Sequence, residues 1–121
     1  MPVKSLNSAV LKWPDRESVL LSARSWAEAL GSVNPSIVGI RCHGSIADGR
    51  WGMGSDLDIV IEVSSSSKPF ATRSMDFSFP ECGVPVDMAV YTTEELARSR
   101  TEGRRFIREL DRKSIVLYAA S

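Results

Sequence analysis

Leu57, Ile59, Ile61 and Val63 alternate with Asp56, Asp58, Val60 and Glu62. A period of two sends successive side chains to opposite faces of an extended chain, so this segment is a β-strand whose apolar face needs a cover. A short apolar run, Ile37, Val38, Ile40 and Cys42, precedes it, and another, Val84 to Val90, follows it with Asp87 inside. Around these strands the period changes. Val19, Leu20, Ala23, Trp26, Ala27 and Leu30 recur at steps of three and four, the spacing of an amphipathic helix. Pro14-Asp15 supplies its start, with Asp15 as cap or first-turn acid, and Gly31 is its expected stop. Thr92 with Glu95 makes a capping-box pattern, which predicts a second long helix with Leu96, Phe106, Ile107 and Leu110 on its apolar side and Gly103 as a weak point. Ile115 to Tyr118 close the chain as a short strand or a docking turn. Residues 68–83 carry no period that assigns them. Strands interleaved with helices predict an α/β (α+β) fold.

A length of 121 residues fits one domain, 1–121, and Ser64 to Ser67 is too short a polar stretch to be a linker. The 43% hydrophobic and 25% charged content excludes a disordered chain. Lys plus Arg equals Asp plus Glu at 15 each, so net charge selects no partner. Arg98, Arg100, Arg104, Arg105, Arg108, Arg112 and Lys113 crowd the C-terminal part, interleaved with Glu94, Glu95, Glu102, Glu109 and Asp111 at helical spacings. That interleaving reads as a solvated helix face and sets aside nucleic acid as the expected partner. The two cysteines, Cys42 and Cys82, lie far apart with no CxxC, which argues against a disulfide framework or a zinc site. Residues 1–13 end in an apolar patch (Ala9, Val10, Leu11, Trp13). The start lacks the apolar core of a signal peptide, and no run reaches membrane-spanning length. A cytoplasmic protein without membrane attachment is expected.

Asp56 and Asp58, one residue apart in a strand, project to the same face. Two carboxylates ~6 Å apart repel by roughly 3 kcal/mol at an effective dielectric of ~20. A divalent cation removes that repulsion, and oxygen ligands are what Mg²⁺ requires. Strands also begin with solvated aspartates, so the pair alone does not decide. Gly44-Ser45 stands between a strand and a helical turn, where a glycine admits close backbone approach and helix-start N–H groups with the Ser45 hydroxyl donate to phosphate. Its other reading is an ordinary tight turn capped by Ser45. Asp87 is a carboxylate inside an apolar strand and needs a partner there, either a shared cation or an arginine. His43 is placed to contact nucleotide or acceptor at a pocket edge but reads rather as a packed or surface histidine, and Arg41 and Arg50, candidates for phosphate contact, read rather as solvated cations. Trp51 stays open between stacking and an interface.

Gly44-Ser45, ten intervening residues, Asp56-Leu57-Asp58 and a third acid, Asp87, on a later strand together resemble the polymerase-β-like nucleotidyltransferase superfamily, and specifically its minimal nucleotidyltransferases. Gly49 and Ser55 also stand where that family commonly has them. Two departures are His43, where an aromatic is usual, and Ala47-Asp48 in place of Ala-Arg. The resemblance implies a mixed β-sheet flanked by helices and Mg²⁺-dependent transfer of AMP from ATP to a hydroxyl. It implies two Mg²⁺ ions on Asp56, Asp58 and Asp87, with Gly44, Ser45 and Ser55 binding nucleotide. Small members resemble the antitoxin half of HEPN/MNT toxin–antitoxin pairs, which implies a HEPN-type toxin as partner and acceptor, in a homo- or hetero-oligomer. Transfer to a small molecule fits less well, because the chain has no substantial second domain for it. The alternative is a non-catalytic antitoxin that neutralises its partner by binding.

Overall fold

The computed structural model describes residues 13–121, so Ala9, Val10 and Leu11 of the apolar patch, and most of the segment read for a signal peptide, lie outside the described residues. Helix α1 spans Arg16–Val33. It starts as the sequence predicts: Asp15 is extended and its carboxylate accepts from the Ser18 N–H at 2.8 Å. It does not stop at Gly31. The helix continues to Val33, and Asn34 closes it, the side-chain amide donating to the Leu30 carbonyl at 2.8 Å and the backbone N–H to that of Gly31 at 3.3 Å. Gly31 answers a packing need instead. A Cβ there would run into the ring of Tyr118, whose hydroxyl donates to the Gly31 carbonyl at 3.2 Å.

Strand β1 (Ile37–His43) leads into the one-turn helix α2 (Ser45–Asp48), and β2 covers Leu57–Val63. The short helix α3 (Phe70–Arg73) runs into a 3₁₀ turn at Ser74–Asp76. Then come β3 (Val86–Thr92), α4 (Thr93–Glu102), α5 (Arg105–Arg112) and β4 (Ile115–Ala119). The sheet order is β3-β2-β1-β4, with β1 antiparallel to β2 and β4 and β2 parallel to β3, a mixed sheet. Strand β3 begins two residues later than the apolar run suggested. Pro85 has no N–H for a ladder, though its carbonyl accepts from Leu57 at 2.9 Å.

The long helix expected after Thr92 is two helices. The capping box forms, Thr92 Oγ1 accepting from the Glu95 N–H at 3.1 Å and Glu95 accepting from the Thr92 N–H at 2.8 Å. After the ten residues of α4, Gly103 takes the left-handed conformation (φ 66°, ψ 34°), and the N–H groups of Gly103 and Arg104 close onto the carbonyls of Arg100 and Ser99 at 3.1 Å each. That arrangement terminates a helix rather than weakening it.

The sheet has two covered faces. Val19, Leu20, Ala23 and Ala27 of α1 pack on Ile37, Ile40, Cys42, Leu57, Ile59, Ile61, Val63 and Leu117. On the other face Val60, placed among the polar positions of its strand, is buried with Leu96, Ile107 and Leu110 under α4 and α5. Full burial of each such aliphatic side chain contributes about 1.5–3 kcal/mol. Residues 68–83 gave no period because polar bonds hold much of them. Arg73 is buried and donates to both oxygens of Glu95, at 2.6 and 3.0 Å, and to the carbonyls of Lys68 and Val90. Trp26 of α1 packs on Phe79 and donates to the Ser78 carbonyl at 2.9 Å. Of the C-terminal arginines, Arg98 with Glu94 and Arg112 with Glu109 pair at helical spacings, as the interleaving predicts, whereas Arg100 pairs across to Asp111 of α5 and Arg104 with the nearby Glu102. Cys42 and Cys82 are free thiols. Among the described residues no helix is long and apolar enough to cross a membrane.

Candidate functional site

At the end of β1 the chain turns through Gly44, whose φ of 79° and ψ of −148° lie in a region essentially reserved for glycine. A Cβ at this position would collide with Oδ2 of Asp58. The glycine therefore serves both the turn and the close approach of backbone to carboxylate. Ser45 opens α2, and the N–H groups of Ala47 and Asp48 fold back on the Gly44 carbonyl at 2.9 and 3.1 Å. The turn is held from outside by Arg16, whose Nε donates to the Ile46 carbonyl at 2.8 Å.

The loop from Gly49 to Asp56 is pinned at two places. Trp51 Nε1 donates to the Pro14 carbonyl at 3.1 Å, which makes this tryptophan an anchor of the loop. Ser55 and Gly52 clasp each other: the Ser55 N–H reaches the Gly52 carbonyl at 3.0 Å, and the Gly52 N–H reaches Ser55 Oγ at 3.0 Å. Ser55 thus fixes the approach to the first acid.

The register of the sheet brings the acids together. His43 of β1 stands opposite Asp58 of β2, and Asp58 stands opposite Asp87 of β3. Neighbouring strands lie about 4.8 Å apart, so these three side chains form one row across the sheet on the face shared with Val60. Asp56 precedes Asp58 by two residues. Asp58 is half-buried, and its pKa is raised, first by that burial; His43 opposes the shift, and the negative charges of Asp87 and Asp56 add to it. Both other acids are therefore close enough for Asp58 to feel them. Contrary to the expectation from its apolar strand, Asp87 is exposed at the mouth of β3, so burial does not force a partner on it.

The ion pairs of the described residues run elsewhere, and none includes Asp56, Asp58 or Asp87. The donor set is all carboxylate oxygen in a locally negative field, which suits a hard divalent cation. No group of three His, Cys, Asp or Glu side chains among the described residues is already drawn to metal-holding spacing. The carboxylates line a surface rather than close a cage.

Asp48, which stands where the resembling family has arginine, pairs with Arg50 at 2.6 Å, and that bond holds its carboxyl below the ordinary value. Arg50 thereby puts a guanidinium on the rim of a cleft of about 200 Å³ lined by His43, Gly44, Asp48, Arg50, Glu109 and Lys113. Arg41 pairs with Asp111 at 3.5 Å.

Two residues near the acids had no functional signal in the sequence. The ring of His43 meets the edge of Phe106 at 5.7 Å, and Phe106 stacks on Tyr91 at 5.4 Å. Phe106 had been readable only as part of an apolar helix face, and Tyr91 only as the residue after an apolar run.

The model of the family described as "Nucleotidyltransferase domain" matches residues 24–117. Among solved structures, the chain is similar to a protein from Sulfolobus solfataricus whose assignment as a nucleotidyltransferase is itself provisional. The TM-score is 0.64 and the identity 20%, over 86% of this chain and 83% of that one. At that identity the likeness establishes the fold. Among curated proteins none matches the sequence significantly.

Proposed function

Because the chain belongs to the nucleotidyltransferase domain family, we propose that it transfers AMP from ATP to a hydroxyl group, using Mg²⁺ bound by Asp56, Asp58 and Asp87. The observation that carries this reading is the register that sets Asp58 beside Asp87, directly against the Gly44 turn. The backbone N–H groups at the start of α2 and the Ser45 hydroxyl orient the β- and γ-phosphates, and Gly44 admits them without a side chain in the way. Ser55 holds the loop that delivers Asp56 and contributes a hydroxyl to the nucleotide. Asp56 and Asp58 would hold the cation on the triphosphate side of the site. Asp87 takes the acceptor side, holding the attacking hydroxyl and drawing off its proton. Bound Mg²⁺ supplies charge neutralisation of the phosphates and lowers the pKa of a coordinated hydroxyl. The hydroxyl oxygen bonds to the α-phosphorus while the bond to the bridging oxygen breaks, and pyrophosphate leaves.

The acceptor in this proposal is a hydroxyl on a HEPN-type toxin protein, which would make the chain an antitoxin. That part rests on the resemblance alone. The test is mass spectrometry of such a partner co-expressed with the chain. Added mass of one AMP on the partner, lost with Asp56→Ala combined with Asp58→Ala, supports transfer. The second reading is neutralisation by binding alone. It predicts that the same double variant still forms the complex and still neutralises.

A further inference from the structure

We propose that the pocket between β3, α4 and α5 is the subsite for the nucleobase of the transferred nucleotide, which stacks there against Phe106, Tyr91 and Phe70. The proposal rests on the reading of this chain as a nucleotidyl transferase and names how that same site selects its nucleotide. The cavity holds about 570 Å³ and is lined by these three rings together with Glu95, Arg98, Ser99, Glu102 and Arg104. That volume lies within the range usual for small-molecule sites, about 300–1,000 Å³.

The rings form a continuous series that begins at the acids. His43 is opposite Asp58 in the sheet, its ring meets Phe106 at 5.7 Å, Phe106 stacks on Tyr91 at 5.4 Å and 29°, and Tyr91 meets Phe70 at 5.0 Å. Asp87 and Tyr91 stand on one face of β3, four residues apart, a separation of about 13 Å along the strand. The Tyr91 phenol is raised first by burial and further by the charges of Glu95 and, among the acids of the site, Asp87. A nucleotide held by its phosphates beside Asp58 thus has an aromatic surface within reach of its base.

Charge decides which kind of group the pocket takes. Arg98 is paired with Glu94 at 3.6 Å, Arg104 with Glu102 at 2.9 Å, and Glu95 with Arg73 at 2.6 Å. The rim is balanced, so it offers no surplus cation to a phosphate. A flat neutral ring suits three aromatic faces, and the Ser99 hydroxyl and the Glu102 carboxylate at the edge supply polar partners for its ring substituents.

The experiment measures binding of ATP and of inorganic tripolyphosphate, each with Mg²⁺, to the full chain and to the variants Phe106→Leu and Phe70→Ala. Thermal midpoints check that each variant folds. Phe70 is 46% exposed, so its truncation leaves the core intact. Loss of one stacking ring should weaken ATP about 5- to 150-fold and leave tripolyphosphate within about twofold. Nuclear Overhauser contacts from the adenine protons to the Phe106 and Tyr91 rings of the unaltered protein are expected as well, and they do not depend on any variant folding. The proposal is overturned if ATP binds no more tightly than tripolyphosphate, or if both weaken equally in the variants. It is equally overturned if ATP binding is unchanged while transfer to the acceptor is lost, since the pocket would then hold the acceptor. Base-dependent binding without any transferred AMP would refute the transferase reading and leave the subsite standing.

Discussion

Replacing Gly44 by alanine tests the site at its tightest point. At φ 79° and ψ −148° any residue with a Cβ is held in a region essentially closed to it, at a cost of about 1–3 kcal/mol. Unfolding entropy is roughly 2.1 cal/mol/K per residue, so over 121 residues each kcal/mol lowers the melting midpoint by about 4 °C. The expected loss is therefore about 4–12 °C. The new methyl also strikes Oδ2 of Asp58, so the carboxylate must turn away from the row it forms with His43 and Asp87. Gly54→Ala is the matched control: its φ is also positive, at 86°, but an added Cβ meets nothing within 4 Å. Both variants should melt lower in a calorimetric or fluorescence scan. On the proposed function ATP should raise the midpoint of the unaltered protein in a Mg²⁺-dependent way, and only Gly44→Ala should also lose that rise. If Gly54→Ala loses that rise as fully as Gly44→Ala, or if Gly44→Ala keeps it, the turn does not place Asp58 for ligand binding and the reasoning fails.

Asp58→Asn should abolish AMP transfer while its melting midpoint holds or rises, because a half-buried charge beside two like charges is removed; a clear fall in midpoint would assign Asp58 a structural role. Glu95→Gln breaks the pair with buried Arg73 and should cost about 3–5 kcal/mol, nearer the lower figure because Glu95 is partly exposed, as read by urea unfolding at neutral pH. The Arg73 guanidinium lowers the Glu95 carboxyl from 4.5 to about 2, so the pair's stabilisation is complete above the unfolded value and disappears as pH falls from about 4.5 to 2. Acid titration of the unaltered protein should show that loss, and the Glu95→Gln curve should be flatter over the same range. Burial pushes the Cys42 thiol up to about 11, so at pH 8 an alkylating reagent should modify Cys82 first and reach Cys42 only in denaturant; rapid native labelling of Cys42 would contradict its burial.

Local signals foretold most of the architecture because they act within a few residues. The Asp15 cap, the capping box of Thr92 and Glu95 and the alternation from Leu57 to Val63 all appear where the sequence put them. The two glycine expectations failed in opposite directions. At Gly31 the missing side chain makes room for Tyr118, 87 positions away, while the helix runs on to Val33; at Gly103 the left-handed conformation closes the helix. A glycine in sequence announces conformational freedom, and its neighbours in space determine what that freedom is used for.

The same division holds for the site. The spacing of Asp56 and Asp58 fixes them on one face of a strand, and Gly44-Ser45 fixes a turn before a helix, since both follow from chain geometry. That Asp58 faces Asp87 across a parallel pair, that Gly44 touches Asp58, and that Phe106 reaches His43 depend on strand order and on how α4 and α5 fold back over the sheet. Those contacts join segments tens of residues apart, where no local period carries information, and only the packed chain settles them.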